Sequence, residues 1–211
     1  LGVNISHVAT GAQFSCARKT SGAAFCWGRN NQAQLGDNTT TDSVVPVAVN
    51  GTSGGVVGSL KATSVMANGA SACAIMLNGI VKCWGDNTYG QLGDNSVAQR
   101  GVATLLSYLP GTATNLCRGV THTCAVDMGG VYCWGNNESG QLGNNSVTAS
   151  TRPVAVSGIS GFAGTITTSC GDRSTLITPT GVDPMVWGAD AYGNLSGRTP
   201  AFGVPTRVSG W

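Results

Sequence analysis

Residues 83–93 read Cys-Trp-Gly-Asp-Asn-Thr-Tyr-Gly-Gln-Leu-Gly, and the fold follows because this phrase comes round four times with small changes. Cys26-Trp27-Gly28, Cys83-Trp84-Gly85, Cys133-Trp134-Gly135 and Val186-Trp187-Gly188 stand at Trp-to-Trp steps of 57, 50 and 53 residues. Each is followed by a matching tail: 30–36 (NNQAQLG), 87–93 (NTYGQLG), 137–143 (NESGQLG) and the worn copy 190–196 (DAYGNLS). Leu35, Leu92, Leu142 and Leu195 therefore share one repeat position. A period near 50 residues belongs to arrays in which one small sheet recurs and buries its faces only against its neighbours. The chain reads as one array, 1–211, with units at about 1–58, 59–110, 111–161 and 162–211.

Composition says what the units are made of. The 32 glycines, with abundant Asn, Ser and Thr and few aromatics, favour short strands joined by tight turns over helices. Charged residues form only 9% of the chain and the formal net charge is +2. No basic stripe could release many counterions, which argues against nucleic acid as a partner. No apolar run approaches the ~18 residues needed to cross a bilayer as a helix, so membrane insertion is not expected. The chain starts at Leu1 without a methionine, which fits a processed or excised segment.

Within a repeat, 6–17 reads as strand, Thr20-Ser21-Gly22 as a turn and 23–27 as a strand; 64–75, Leu77-Asn78-Gly79 and 80–84 repeat the pattern. A further strand is expected at 46–49, 102–106, 153–156 and 205–208. Antiparallel sheets of three or four strands at a fixed period are the blades of an all-β propeller. Trp27, Trp84, Trp134 and Trp187 are expected to fill the space between blades. Gly28, Gly85, Gly135 and Gly188 would permit close backbone approach or a bulge. Stacking of a ligand on these indoles is the lesser reading.

His122 to Val126 (HTCAV), Cys83 to Asn87 (CWGDN) and Tyr89 to Asn95 (YGQLGDN) resemble the repeat of the regulator of chromosome condensation family, over essentially the whole chain. The resemblance implies a β-propeller, usually of seven blades, whose members serve mainly as protein-binding platforms. Four blades make a partial ring, or one completed by oligomerisation or by missing repeats. The chain lacks the basic tail and inserted wedge of the family's nucleotide exchange factor and the clustered tryptophans of its plant photoreceptor. Its cysteine-rich, charge-poor character resembles the bacterial extracellular members.

Eight cysteines sort by the hairpins they straddle. Nine residues separate Cys16 from Cys26 and Cys73 from Cys83, so three-residue loops centred on Ser21 and Asn78 would oppose each pair. Eight separate Cys124 from Cys133, and a two-residue Met128-Gly129 loop opposes those. Leu176 and Val186 hold the same places in the fourth repeat, so the pairs serve cohesion. Disulfides there imply an oxidising, extracytoplasmic compartment; buried reduced thiols are the alternative. Cys117 and Cys170 occupy similar places on neighbouring units, where a bridge between blades three and four competes with two free thiols or a partner in another chain.

Signs of chemistry are sparse. His122 and Cys117 stand near Cys124 but without the short repeated spacing of a zinc site, and no metal or cofactor is expected. Asp37 and Asp94, with Asn144 in the third copy, recur once per repeat, as turn residues do. No nucleophile elbow, phosphate loop or dinucleotide fingerprint is present, and no enzymatic activity is expected. Sequons at Asn4, Asn38, Asn50, Asn137, Asn144 and Asn194 are candidate glycan sites. The expected function is an extracellular protein-binding or scaffolding module, its contacts made by loops 39–45, 52–58, 97–102, 147–151 and 196–203. The alternatives are a self-assembling subunit of a cell-surface filament or sheath, with further copies of itself as partner, and a secreted hydrolase inhibitor.

Overall fold

A computed structural model describes residues 4–51, 61–189 and 203–208, and all their regular structure is β. Leu195, the Asn194 sequon, the tail 190–196, the loop 52–58 and all of the loop 196–203 except Gly203 lie outside these residues.

The first sheet contains β1 (Ile5–Thr10), β2 (Phe14–Lys19), β3 (Ala24–Gly28) and β4 (Ser43–Ala48), hydrogen-bonded in chain order. The second contains β5 (Ala62–Asn68), β6 (Ser71–Met76), β7 (Val81–Gly85) and β8 (Arg100–Leu105). The third contains β9 (Ala113–Arg118), β10 (His122–Asp127), β11 (Gly130–Gly135) and β12 (Ser150–Ala155). The fourth contains β13 (Ile166–Cys170), β14 (Ser174–Pro179), β15 (Met185–Gly188) and β16 (Thr206–Arg207). Every pairing between these named strands is antiparallel. The first strands touch one another in series, β1 on β5, β5 on β9 and β9 on β13, so they line the axis of a four-blade propeller arc.

Two expectations need correction. The stretch 6–17 is two strands, not one: Gly11 to Gln13 turn the chain, and the Gly11 amide donates to the Phe14 carbonyl at 2.9 Å. Glycine and small polar residues allow this turn, but the strand-like residues on both sides conceal it. Parts of the supposed contact loops are also strand, since Ser43 to Val45, Arg100 to Val102, Ser150 and Thr151 belong to β4, β8 and β12.

Turn chemistry sets the register. Cys16 faces Cys26, Cys73 faces Cys83 and Cys124 faces Cys133, with Leu176 opposite Val186. The third hairpin closes through Met128 (φ 48) and Gly129 (φ 73), the two left-handed residues of a type I′ turn. The glycine after each Trp is tied to its place by close approach. A Cβ on Gly28, Gly85, Gly135 or Gly188 would lie 2.6, 2.6, 2.4 or 2.3 Å from the backbone oxygen of Gln13, Ala70, Thr121 or Arg173.

Blades meet through apolar faces and a repeated set of backbone bonds. The Cys16 and Cys26 face of the first blade packs with Ala72, Ala74 and Trp84 of the second. Hairpin-tip carbonyls of Gly22 and Gly79 accept from the amides of Ala62 and Ala113, which open the next blade, at 2.8 and 2.9 Å. The indole of each later blade sits over a glycine of the blade before it: Gly36 under Trp84, Gly93 under Trp134 and Gly143 under Trp187.

Those seats make a prediction. A Cβ at Gly93 (φ +71) would come within 2.3 Å of Leu106 Cδ1 and 2.6 Å of Trp134 Nε1. Gly93→Ala is expected to destabilise the fold by about 2–5 kcal/mol, combining left-handed strain with overpacking. Gly181 has nearly the same backbone, φ +75, with nothing within 4 Å of an added Cβ. Gly181→Ala should cost only the backbone part, about 1–2 kcal/mol. Urea unfolding distinguishes them, and equal losses would show that the indole seat does not limit packing.

Candidate protein-interaction face

A frame of buried polar residues carries the surface. Trp84, Trp134 and Trp187 are 0, 0 and 1% exposed. Their Nε1 atoms donate to the carbonyls of Gln34, Gln91 and Gln141 in the preceding blade at 3.0, 3.0 and 2.9 Å. Trp27 is the exception to the expectation that all four indoles fill gaps between blades. It is half-buried.

The second part of the frame is an asparagine at the head of each of the first three tails. Asn87 is fully buried; its Oδ1 accepts from the Leu92 amide at 2.9 Å. Its Nδ2 donates to Asp94 Oδ1, Ser96 O and Ala98 O at 3.1, 3.0 and 3.1 Å. Asn30 and Asn137 make the same set around Leu35 and Leu142. One amide thus fixes a loop of about a dozen residues by saturating its own donors and acceptor. Asp37 and Asp94 also accept from the amides two residues on, Thr39 and Ser96, as turn residues do. The invariance of this asparagine across three tails was a visible signal of its importance, although nothing in the sequence showed its distant acceptors.

This network corrects one glycan site. Asn137 is fully buried and its Nδ2 is committed to three acceptors, so a sugar on that nitrogen is incompatible with the fold. Asn4 and Asn38 are exposed, whereas Asn50 and Asn144 are half-buried. Asn50 donates from Nδ2 to the Asp37 carbonyl at 3.1 Å.

All eight cysteines are in disulfides: Cys16 with Cys26, Cys73 with Cys83, Cys124 with Cys133, and Cys117 with Cys170. The fourth bridge joins the axial strands β9 and β13 of successive blades. The Sγ atoms of Cys117, Cys124 and Cys170 lie within 4.8 Å of one another. Sulfurs held in disulfides do not present the thiolates that a metal requires.

Two ionisable groups are sealed between blades. Arg118 donates from Nη1 to Thr123 Oγ1 and Cys73 Sγ, both at 2.9 Å, and from Nη2 to Ser71 Oγ. Burial lowers its pKa to about 10, so it stays a cation at neutral pH. His122 is fully buried with Nε2 2.9 Å from Thr175 Oγ1 of the fourth blade. Burial, and then the charge of Arg118, bring its pKa down to about 3. It is a packed, hydrogen-bonded strand residue.

On this frame the exposed positions differ from blade to blade. Between the first and second blades, a cleft of about 180 Å³ is lined by Gln13, Arg29, Asn31, Gln32 and backbone at Gly69. Between the third and fourth, the equivalent cleft of about 210 Å³ is lined by Thr121, Glu138, Ser139, Asp172 and Arg173, with Tyr89 from the second blade. Both are built from the loop joining the first two strands of a blade and from the tail after its Trp-Gly. Constant residues point inward and variable ones outward, which is how one scaffold presents different surfaces. At the other end of the strands, the hairpin tips expose Leu77 and Met128, each 76% accessible.

The model of the regulator of chromosome condensation (RCC1) repeat matches residues 21–75 and 128–178, half of the chain, and a second model of that repeat matches 5–34 and 63–91. The human E3 ubiquitin-protein ligase HERC2 is 35% identical over 94 residues, which is 44% of this chain and 2% of that protein. Human WBSCR16 superposes with a TM-score of 0.84 at 22% identity, over 97% of this chain and 53% of that one. Prp20p from Saccharomyces cerevisiae, a structure described with its binding to Gsp1p and histones, gives 0.81 at 18% identity, over 98% and 51%. The chain thus spans about half of each of these solved propellers and a small part of the ligase.

The sealed imidazole makes stability depend on pH. The unfolded chain takes up a proton at His122 as pH drops below its ordinary value near 6.5, and the folded chain does so only near 3. Stability is therefore full above about 6.5 and falls with pH across that window, by up to about 1.4 kcal/mol per unit. His122→Gln can keep the bond to Thr175 without titrating. Urea unfolding at pH 7, 6 and 5 should show a slope for the parent that the variant lacks; parallel slopes would assign the dependence elsewhere.

Proposed function

Because the chain belongs to the regulator of chromosome condensation repeat family, we propose that it is a non-enzymatic protein-binding propeller module that works outside the cell. The observation that carries the binding reading is the distribution of charge over the clefted face. The chain has only 11 basic and 9 acidic residues, yet Arg29, Asp86, Glu138, Asp172 and Arg173 all belong to the loops and tails of this one end. Both signs are present, beside the exposed ring of Tyr89. Mixed charge around an aromatic suits a protein surface, where charge sets specificity and an aromatic anchors. It does not suit a polyanion. The binding of Gsp1p and histones described for Prp20p is consistent with a protein partner for this fold. The four disulfides support the extracellular part, since such bonds persist in oxidising compartments.

Two measurements test the two parts. Thiol titration of the denatured, unreduced protein from its native source should find no free cysteine; several free thiols would remove the case for an oxidising compartment. For the binding surface, a partner recovered by cross-linking from the extracellular medium should bind the triple variant Tyr89→Ala, Glu138→Ala, Arg173→Ala at least about tenfold more weakly. Leu77→Ala with Met128→Ala, at the opposite end, should leave affinity within about twofold of the parent. The reverse pattern would move the binding surface to the hairpin tips.

A further inference from the structure

Four sulfurs meet where the third blade joins the fourth. Cys117, Cys124 and Cys133 stand opposite one another on β9, β10 and β11, so their side chains form one row on one face of the sheet. Cys133 is bonded to Cys124 and Cys117 to Cys170 of β13, while the Sγ atoms of Cys117 and Cys170 both lie within 4.8 Å of Cys124 Sγ. The first two blades have no such arrangement, because Ala9 and Met66 hold the place of Cys117 opposite Cys16 and Cys73.

A disulfide exchanges when a thiolate attacks one of its sulfurs along the line of the bond that breaks. The central strand supplies that line, since Cys124 stands between its bonded partner Cys133 on one side and Cys117 on the other. Burial sets the order of events. Cys124 and Cys133 are 0% exposed and Cys117 is 7% exposed, whereas Cys170 is half-buried, the one cysteine of the eight that is not buried. A reductant in solution meets Cys170 first, and the bond between Cys124 and Cys133 is within reach only of the sulfurs beside it.

We propose that these two bridges form a thiol–disulfide exchange site whose co-substrate is an external dithiol. One thiolate of the dithiol bonds to Cys170 Sγ, the bond to Cys117 breaks, and Cys117 leaves with the electron pair as a thiolate. Cys117 then bonds to Cys124 Sγ, and Cys133 leaves as a thiolate and takes up a proton. The second thiol of the dithiol, as its thiolate, closes on the first and releases Cys170, which is protonated in turn. The dithiol is oxidised by two electrons to a disulfide, and of the two protein bridges one remains, now between Cys117 and Cys124. Exchange therefore differs from plain reduction. The third and fourth blades lose their tie, yet the third keeps a bridge between neighbouring strands. Cys133 becomes a thiol within an apolar cluster, which is an ordinary core residue. The site concerns these sulfurs alone and is independent of what the clefted face binds.

The oxidised parent chain, folded, is treated with equimolar dithiothreitol. Acid then stops exchange by removing thiolates, a maleimide caps the free thiols of the acid-unfolded chain, and peptic peptides are mapped by mass spectrometry without reduction. Caps are expected at Cys133 and Cys170, at least about tenfold above those at Cys26 or Cys83, together with a peptide linked through Cys117 and Cys124. Cys170→Ser isolates the second step without a reductant, since it leaves Cys117 free beside Cys124. Its cap should be divided between Cys117 and Cys133, in a chain whose far-UV circular dichroism matches the parent. Caps on Cys117 and Cys170 with the Cys124 to Cys133 bridge intact would overturn the proposal, as would caps spread evenly over the hairpin cysteines or no caps at all. A folded Cys170→Ser chain capped at Cys117 alone would overturn it too.

Discussion

One contact recurs at every described junction: an indole lies on a glycine of the preceding blade and gives its N–H to the carbonyl two residues before it. The large ring removes apolar area from water, and the hydrogen bond ensures that the burial leaves no unpaired donor. The glycine is required because only a residue without Cβ leaves room for the ring at that distance. A sheet of four short strands has too little interior to hold itself, so each blade depends on its neighbour for half its core.

Charge-poor blades with few aromatics need other sources of cohesion, and the chain uses two. Three disulfides pin the middle strands of the first three blades, each closing a loop of only 9 or 10 residues. On a chain-entropy account each contributes roughly 3 kcal/mol. The buried asparagines hold the long excursions between third and fourth strands. A loop that would otherwise be the mobile part of each blade is anchored at its centre by Asn30, Asn87 or Asn137, and the clefted face inherits that rigidity. Preorganised loops lose less entropy on binding, which favours this end as a contact surface.

Much of this was legible in the sequence wherever the physics is local and repeated. The Trp-Gly period identified the array, and hairpin loop lengths with Gly22, Gly79 and Gly129 set the cysteine register. Non-local geometry was harder to read. Nothing in the run of 6–17 marks where one strand ends and the next begins, because small polar residues serve both strand and turn. The acceptors of Asn137 lie 7 to 11 residues away, so its sequon looked like any other until burial removed it. The clefts combine loops of adjacent blades some 50 residues apart, and only the fold brings Thr121 beside Arg173.

The Cys117 to Cys170 bridge gives the arc a direction. It ties β9 to β13 across 53 residues, the one disulfide between blades, and by loop closure contributes roughly 4 kcal/mol to the third and fourth together. The junctions of the first blade with the second, and of the second with the third, have no disulfide across them. In a solenoid whose units are coupled only to their neighbours, fraying starts where coupling is weakest. Under heat or a pulling force the molecule would peel from its amino-terminal side and leave a stapled pair of blades as the last folded remnant.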